Sequence, residues 1–248
     1  MILTPSEASK RDLLKTFKLP PEKVRVTPSA ANESFSPQPK AEVERVMQLY
    51  RLPSRYVLHL GGSKPHKNLT RLVDAWTELR GRIAGRRLNG DVKLVLAGRE
   101  DPRYPAARRR VSSTGTSESV LFAGAIAEQD LSGLFSGATL FVFPSLYEGF
   151  GLPALEAMAC GAPVVSSSAG ALPEVVGNAA LCVSPHDVPA LADAIEQVLV
   201  NESLRRRLAA RSLAQAARFS WSRTAKLTRA AYQEAARRIP LNRRGNSV

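Results

Sequence analysis

The sequence predicts an α/β chain with a doubly wound, mostly parallel six-stranded sheet. Two observations carry that fold class. Six short, continuously apolar runs alternate with helical patterns: Tyr56–Leu60, Val92–Ala97, Val120–Ala123, Leu140–Phe143, Val164–Ser166 and Ala180–Val183. Strands that read as unbroken apolar runs are covered on both faces, as in parallel sheets wound by helices. Several of the runs also end in Gly or Pro, so small-residue loops leave their carboxyl ends, the edge at which open α/β sheets bind ligands. At 248 residues the chain is one large domain or two small ones.

The elements follow in order. Residues 1–27 read as strand, helix, strand, with Ser6 in Pro5-Ser6-Glu7 placed to cap the helix. Three prolines between Pro28 and Pro39 mark a linker or hinge, and Ala41–Tyr50 is a short helix. After the first run, Gly61-Gly62-Ser63-Lys64-Pro65-His66-Lys67-Asn68 opens a helix to about Ile83, with Asn68 as its expected N-cap. The stretch from Arg99 to Glu118 is helix plus loop. A helix over Glu128–Phe135 precedes the fourth run. Past Phe143, a loop carrying Glu148 leads into a small apolar helix whose first position is expected at Pro153, where a fixed φ and a missing N–H cost nothing. Helices over Val188–Val200, Glu202–Arg218 and Arg223–Arg238 close the chain.

Composition sets bounds. No apolar run approaches the roughly 20 residues of a membrane span, and no basic-then-apolar leader opens the sequence. Cys160 and Cys182 lie in apolar contexts and read as buried, reduced thiols of a cytoplasmic protein. No metal-ligand spacing is present. The net charge is +13, and from Arg205 onward twelve lysines and arginines face one acid, Glu234. Such a tail suits an anionic partner, whether lipid headgroup, nucleic acid or another subunit, and equally a solvated helix pair. Nucleic acid is the least supported of these, for no aromatic platform or known motif accompanies the charge.

Two stretches carry chemistry. The Gly61–Asn68 loop puts glycines and lysines at a helix start, where backbone N–H groups and cations suit a diphosphate. It is not a Walker A loop, because His66 stands at the second glycine position, and a plain glycine-rich turn is the commoner meaning of such a loop taken alone. The second stretch is Phe143–Gly161, with Glu148 in the loop and Glu156 on the helix. A lone carboxylate on so apolar a helix is costly to bury unpaired, so Glu156 is expected to face a ligand, a cation or a donor. The two acids read either as a glycosidase acid/base pair or as two holds on different parts of one ligand. Their loop-plus-helix placement favours the second. His59, mid-strand, reads as core.

These stretches together resemble the C-terminal half of family-four retaining glycosyltransferases of the two-domain GT-B type. The matching pieces are Gly61-Gly62 with Lys67-Asn68, Leu94–Gly98, Phe143–Glu156 with its Glu-x7-Glu, Gly161–Val165, Ala171–Val176 and Phe219-Ser220-Trp221. The resemblance runs over nearly the whole chain. It implies a nucleotide-sugar donor site, with a GDP- or UDP-sugar as substrate, GDP-mannose first, and no cofactor or metal. Glu148 would meet the sugar hydroxyls, Glu156 the ribose, and Lys67 the diphosphate. Gly61, Gly62, Gly98, Gly149, Phe150, Gly151 and Leu152 would line the donor, with Ile126 at the base. Glu148 and Lys67 would be the catalytic pair, Lys67 stabilising a leaving phosphate. Residues 1–36 would be a remnant of the acceptor domain plus hinge, 37–221 the donor domain, and 222–248 the crossing helix and basic tail. Many members carry an arginine where this chain has Gly62, which leaves the diphosphate mostly to Lys67, with Lys64 as a substitute. The full reaction would move a hexose onto a sugar or lipid-linked acceptor hydroxyl. A partner chain with the acceptor domain or a homodimer, and a peripheral membrane contact through the basic tail, are the further partners expected. The alternative is a donor-binding subunit that does not catalyse alone.

Overall fold

The computed structural model describes residues 1–83 and 92–238. The end of the basic tail, with Arg243 and Arg244, lies outside the described residues. The first unit matches the expected strand–helix–strand: β1 (Ile2–Thr4) pairs in parallel with β2 (Val24–Val26) across α1 (Glu7–Phe17). Ser6 caps α1, its hydroxyl accepting from the Ser9 N–H. After the proline-rich stretch comes α2 (Lys40–Leu49).

The six apolar runs form one sheet: β3 (Arg55–Leu60), β4 (Val92–Ala97), β5 (Val120–Gly124), β6 (Leu140–Phe143), β7 (Val164–Ser167) and β8 (Ala180–Val183). Every pairing is parallel, in the order β5-β4-β3-β6-β7-β8. The chain therefore builds outward from β3 to β5, returns to lay β6 beside β3, and builds outward the other way.

Helices cover both faces. On one lie α3 (Leu69–Ile83), α4 (Ala106–Ser113) and α8 (Val188–Val200), burying Leu72, Trp76, Leu79, Val111, Ile195 and Val198 against Val57, Leu94 and Val142. On the other lie α2, α5 (Leu131–Gly137), α6 (Leu152–Ala159) and α7 (Leu172–Val176), packed on Tyr56, Leu58, Phe141 and Phe143. Alternate strand residues thus feed opposite cores, which is why the runs are apolar throughout. Then α9 (Glu202–Ala216) and α10 (Trp221–Arg238) follow, and α10 returns to the first unit. Its Glu234 carboxylate accepts from the Arg25 guanidinium of β2 at 2.5 and 3.0 Å, and Thr224 donates to the Pro28 carbonyl at 2.5 Å.

Four local expectations need correction. Residues 128–130 form a 3₁₀ turn ahead of α5 rather than its first turn. Pro153 is the second residue of α6, still without a bond to lose. Cys182 is exposed, because β8 is the edge strand of the sheet and is less covered than the central ones. Asn68 is not an N-cap by side chain. Its φ of 61° is left-handed, and its amide donates to the carbonyls of Pro144 at 3.0 Å and Pro185 at 2.7 Å. It tethers the start of α3 to the loops after β6 and before α8. Asn68→Ala removes both donors and puts Cβ strain at that φ, and is expected to cost about 2–4 kcal/mol in denaturant unfolding. Unchanged stability would refute the tether.

Candidate functional site

The strand order reverses between β3 and β6, so the loops leaving them part and open a crevice. One wall is the loop Gly61–Asn68, ending in a 3₁₀ turn over Pro65–Lys67. The other is Pro144–Gly151. The Leu146 N–H donates to the His66 carbonyl at 2.7 Å and joins the walls. Here the two residues expected to be catalytic meet. The Lys67 ammonium donates to Glu148 Oε1 at 2.6 Å, with side chains only 16% and 15% exposed. The same ammonium stands 5.1 Å from the Phe143 ring centroid. A largely desolvated, charge-assisted contact of this kind holds both groups in one geometry.

Behind this wall the first loop leans on the second strand. The Gly61 N–H donates to the Ala97 carbonyl at 2.9 Å. Gly98 has φ +127°, and a Cβ there would stand 2.2 Å from the Gly61 carbonyl oxygen, so only glycine fits. Gly62, with Lys64, Lys67, Arg99, Asp101 and Arg103, lines a cavity of about 780 Å³. Its acids are already neutralised: Arg103 forks onto Asp101 and holds that carboxyl below the usual range, and Arg108 pairs with Glu100. Lys64 and Arg99 have no ion-pair partner among the described residues, so the cavity carries uncompensated positive charge. Sequence reasoning missed Arg99; its signal was its place directly after a strand-ending glycine.

Glu156 opens on a different space. With Leu152 it lines a cleft of about 500 Å³, facing Ile126, Glu128, Phe35 and Trp221. No hydrogen-bond or ion-pair partner for its carboxylate occurs among the described residues. Burial, with the nearby negative charge of Glu128, pushes its pKa up to about 7. The site thus keeps the two acids apart: Glu148 sits with Lys67 in the crevice, Glu156 with the expected base loop. That separation favours two holds on one ligand over a facing acid/base pair.

Because the folded-state pKa of Glu156 is raised, the stability it lends is complete below about pH 4.5 and lost as pH rises through about 7. Glu156→Gln is therefore expected to stabilise the chain by about 1–3 kcal/mol at pH 8 and hardly at all near pH 4. Melting curves at the two values test it; equal shifts at both would contradict it.

The remaining expected residues divide. Phe150 is buried with its ring edge-on to Phe219, 5.8 Å between centroids, so only its backbone is available to a ligand. The Gly149 carbonyl is taken up by serine hydroxyls of α1. The loop at Ala169-Gly170 supports the backbone of Glu148, through the Ala171 N–H to the Glu148 carbonyl at 3.1 Å. His59 is core as expected. Its Nδ1–H donates to the Val142 carbonyl at 3.1 Å and burial lowers its pKa to about 4, so it is neutral. Glu128, Phe35 and Trp221 come to the cleft from three separate elements, and their place at the cleft was not read from sequence. Among the described residues, no three His, Cys, Asp or Glu side chains gather as a metal site, and no helix is long and apolar enough to cross a membrane.

In comparisons with known proteins, residues 43–214 match the profile of the family described as glycosyl transferases group 1. The chain is 37% identical over 239 residues to the O-antigen chain mannosyltransferase B of Escherichia coli, covering 94% of this chain and 60% of that protein. It is 34% identical over 242 residues to an MMP alpha-(1->4)-mannosyltransferase of Mycolicibacterium hassiacum, covering 96% of this chain and 55% of that one. Among solved structures, the sucrose-phosphate synthase of Thermosynechococcus elongatus superposes with a TM-score of 0.77 at 27% identity, over 95% of this chain and 58% of that one. The chain spans little more than half the length of these relatives.

Proposed function

This chain belongs to the glycosyl transferases group 1 family, as its motifs led us to expect, and on that premise we propose that it is the donor-binding part of a retaining hexosyltransferase that works without metal. The donor is a nucleotide-sugar, GDP-mannose first. Two of its relatives are mannosyltransferases, which supports that sugar and favours an enzyme over a binding subunit. The observation that carries the reading is the Lys67–Glu148 contact at the strand-order reversal, with Glu156 in the adjoining cleft.

In this reading the nucleoside lies in the cleft, its ribose hydroxyls donating to Glu156 and its base against Ile126. The diphosphate lies over Gly61-Gly62 and the N-terminus of α6, where Lys67 and the helix dipole oppose the charge that develops as the sugar leaves. With Gly62 in place of a cation, Lys64 and Arg99 supply the further positive charge. Glu148 accepts from the sugar hydroxyls and orients the reacting carbon toward the acceptor. The acceptor, a sugar or lipid-linked sugar, is held by a further domain facing the first unit, and the arginine-rich α10 meets an anionic membrane surface that carries it.

The test is transfer by the complete enzyme. Incubated with a chelator, GDP-mannose and an acceptor extract, it is expected to release GDP and glycosylate the acceptor. Turnover that needs added divalent metal, or no turnover with GDP-mannose while UDP-glucose reacts, would overturn the metal or donor assignment.

A further inference from the structure

The first unit does more than pack on the donor domain: two hydroxyls of α1 and its cap grip the loop that carries Glu148. Ser6 Oγ donates to the Gly149 carbonyl at 2.7 Å and Ser9 Oγ donates to the same oxygen at 3.0 Å. Ser6 is 2% exposed and its hydroxyl also accepts from the Ser9 N–H, so its orientation is fixed by the cap. One residue before Glu148, the Tyr147 hydroxyl donates to Asp12 of α1 at 2.5 Å. From the other side, Gly170 (φ +59°) presses on the loop so closely that a Cβ would stand 2.7 Å from the Glu148 carbonyl oxygen. The helix after Gly170 closes the circle. Its Glu174 carboxylate accepts from the Glu7 and Ala8 N–H groups at 2.8 and 2.7 Å, fixing the N-terminus of α1. The Glu148 backbone is thus held between α1 and the Gly170 loop, and its side chain by Lys67. Glu156 is carried by α6 and shares none of these bonds.

We propose that Ser6 and Ser9 are positioning residues for sugar recognition: through the Gly149 carbonyl they set where Glu148 points, while nucleotide binding is not weakened by their loss. The proposal rests on the donor-site reading above and adds a division of labour to it. A carbonyl that receives two hydroxyl donors has both lone pairs engaged. When both donors are removed, the Glu148–Gly149 segment can rotate, and the carboxylate swings with it. A site that meets hydroxyls needs its acceptor placed closely.

The experiment compares GDP with GDP-mannose, and UDP with UDP-glucose, by calorimetric titration of the whole chain. Three variants are used beside the wild type. Ser6→Asp/Ser9→Ala keeps a capping acceptor on α1 and removes both donors. Ser9→Ala alone leaves the cap intact, and Ser9→Thr restores a hydroxyl. The double variant is expected to bind the sugar nucleotide about tenfold more weakly while its diphosphate affinity does not fall, and rises by up to several-fold where the displaced carboxylate frees Lys67. Ser9→Ala should move the same ratio by about threefold, and Ser9→Thr should return it. A merely structural contact would lower both affinities together or leave both alone, and either result overturns the proposal. A wild-type chain that binds neither nucleotide overturns the donor-site reading itself, and the proposal with it.

Discussion

Glu148→Gln separates sugar transfer from nucleotide binding: transfer by the complete enzyme falls by about two orders of magnitude or more, while the chain binds the bare nucleoside diphosphate several-fold tighter. Both effects follow from the 2.6 Å contact with Lys67. In the free chain Glu148 is the anion on the Lys67 ammonium. An arriving diphosphate must share that cation with a carboxylate a hydrogen bond away, in a largely desolvated setting where like charges repel more than in water. Replacing the carboxylate by an amide keeps the shape and removes the negative charge, and about 1 kcal/mol of relief corresponds to roughly fivefold in affinity. The sugar bears the other side of the exchange, since an amide is a poorer acceptor for hydroxyls than a carboxylate. Calorimetry with GDP and a transfer assay read the two halves. Full transfer, or weaker GDP binding, would remove Glu148 from the role assigned to it.

Glu156→Ala acts on the nucleoside instead. Its carboxylate lines the cleft without a partner among the described residues, and loss of a buried ligand hydrogen bond costs about 1–3 kcal/mol, or roughly 5- to 150-fold in nucleotide affinity. Its titration adds a signature. With a pKa near 7 in the free chain, Glu156 is mostly protonated at pH 6 and mostly charged at pH 8. Only the charged form offers all its lone pairs to the ribose hydroxyls. Nucleotide affinity is therefore expected to rise from pH 6 to pH 8, and the rise should be smaller in Glu156→Gln. The ligand's own phosphate titration is common to both proteins and cancels in the comparison. An identical pH profile in the two would rule out a ribose contact through the Glu156 carboxylate.

The six strands were legible in the sequence because each reads as an apolar run, the central ones buried on both faces. The cap at Ser6 was legible because capping is local. Lys67 and Glu148 were each legible as site residues, but their contact was not: they are 81 positions apart, and only the return of β6 to the side of β3 brings them together. Asn68 misled for the same reason. Its local pattern is that of a cap, and two proline carbonyls from distant loops decide its conformation instead. Glu128 read as an ordinary helix start, and its position opposite Glu156 depends on how two helices pack on one face of the sheet. Cys182 read as buried because an apolar run does not say which strand will be the edge.

The most direct test of the central claim is calorimetric titration of the purified chain with GDP, UDP and ADP in the absence of metal. A working donor site predicts that one diphosphate binds selectively, GDP first, and that Glu156→Ala weakens that binding. Equal binding of all three, or binding that Glu156→Ala leaves unchanged, would contradict a donor site built on Glu156.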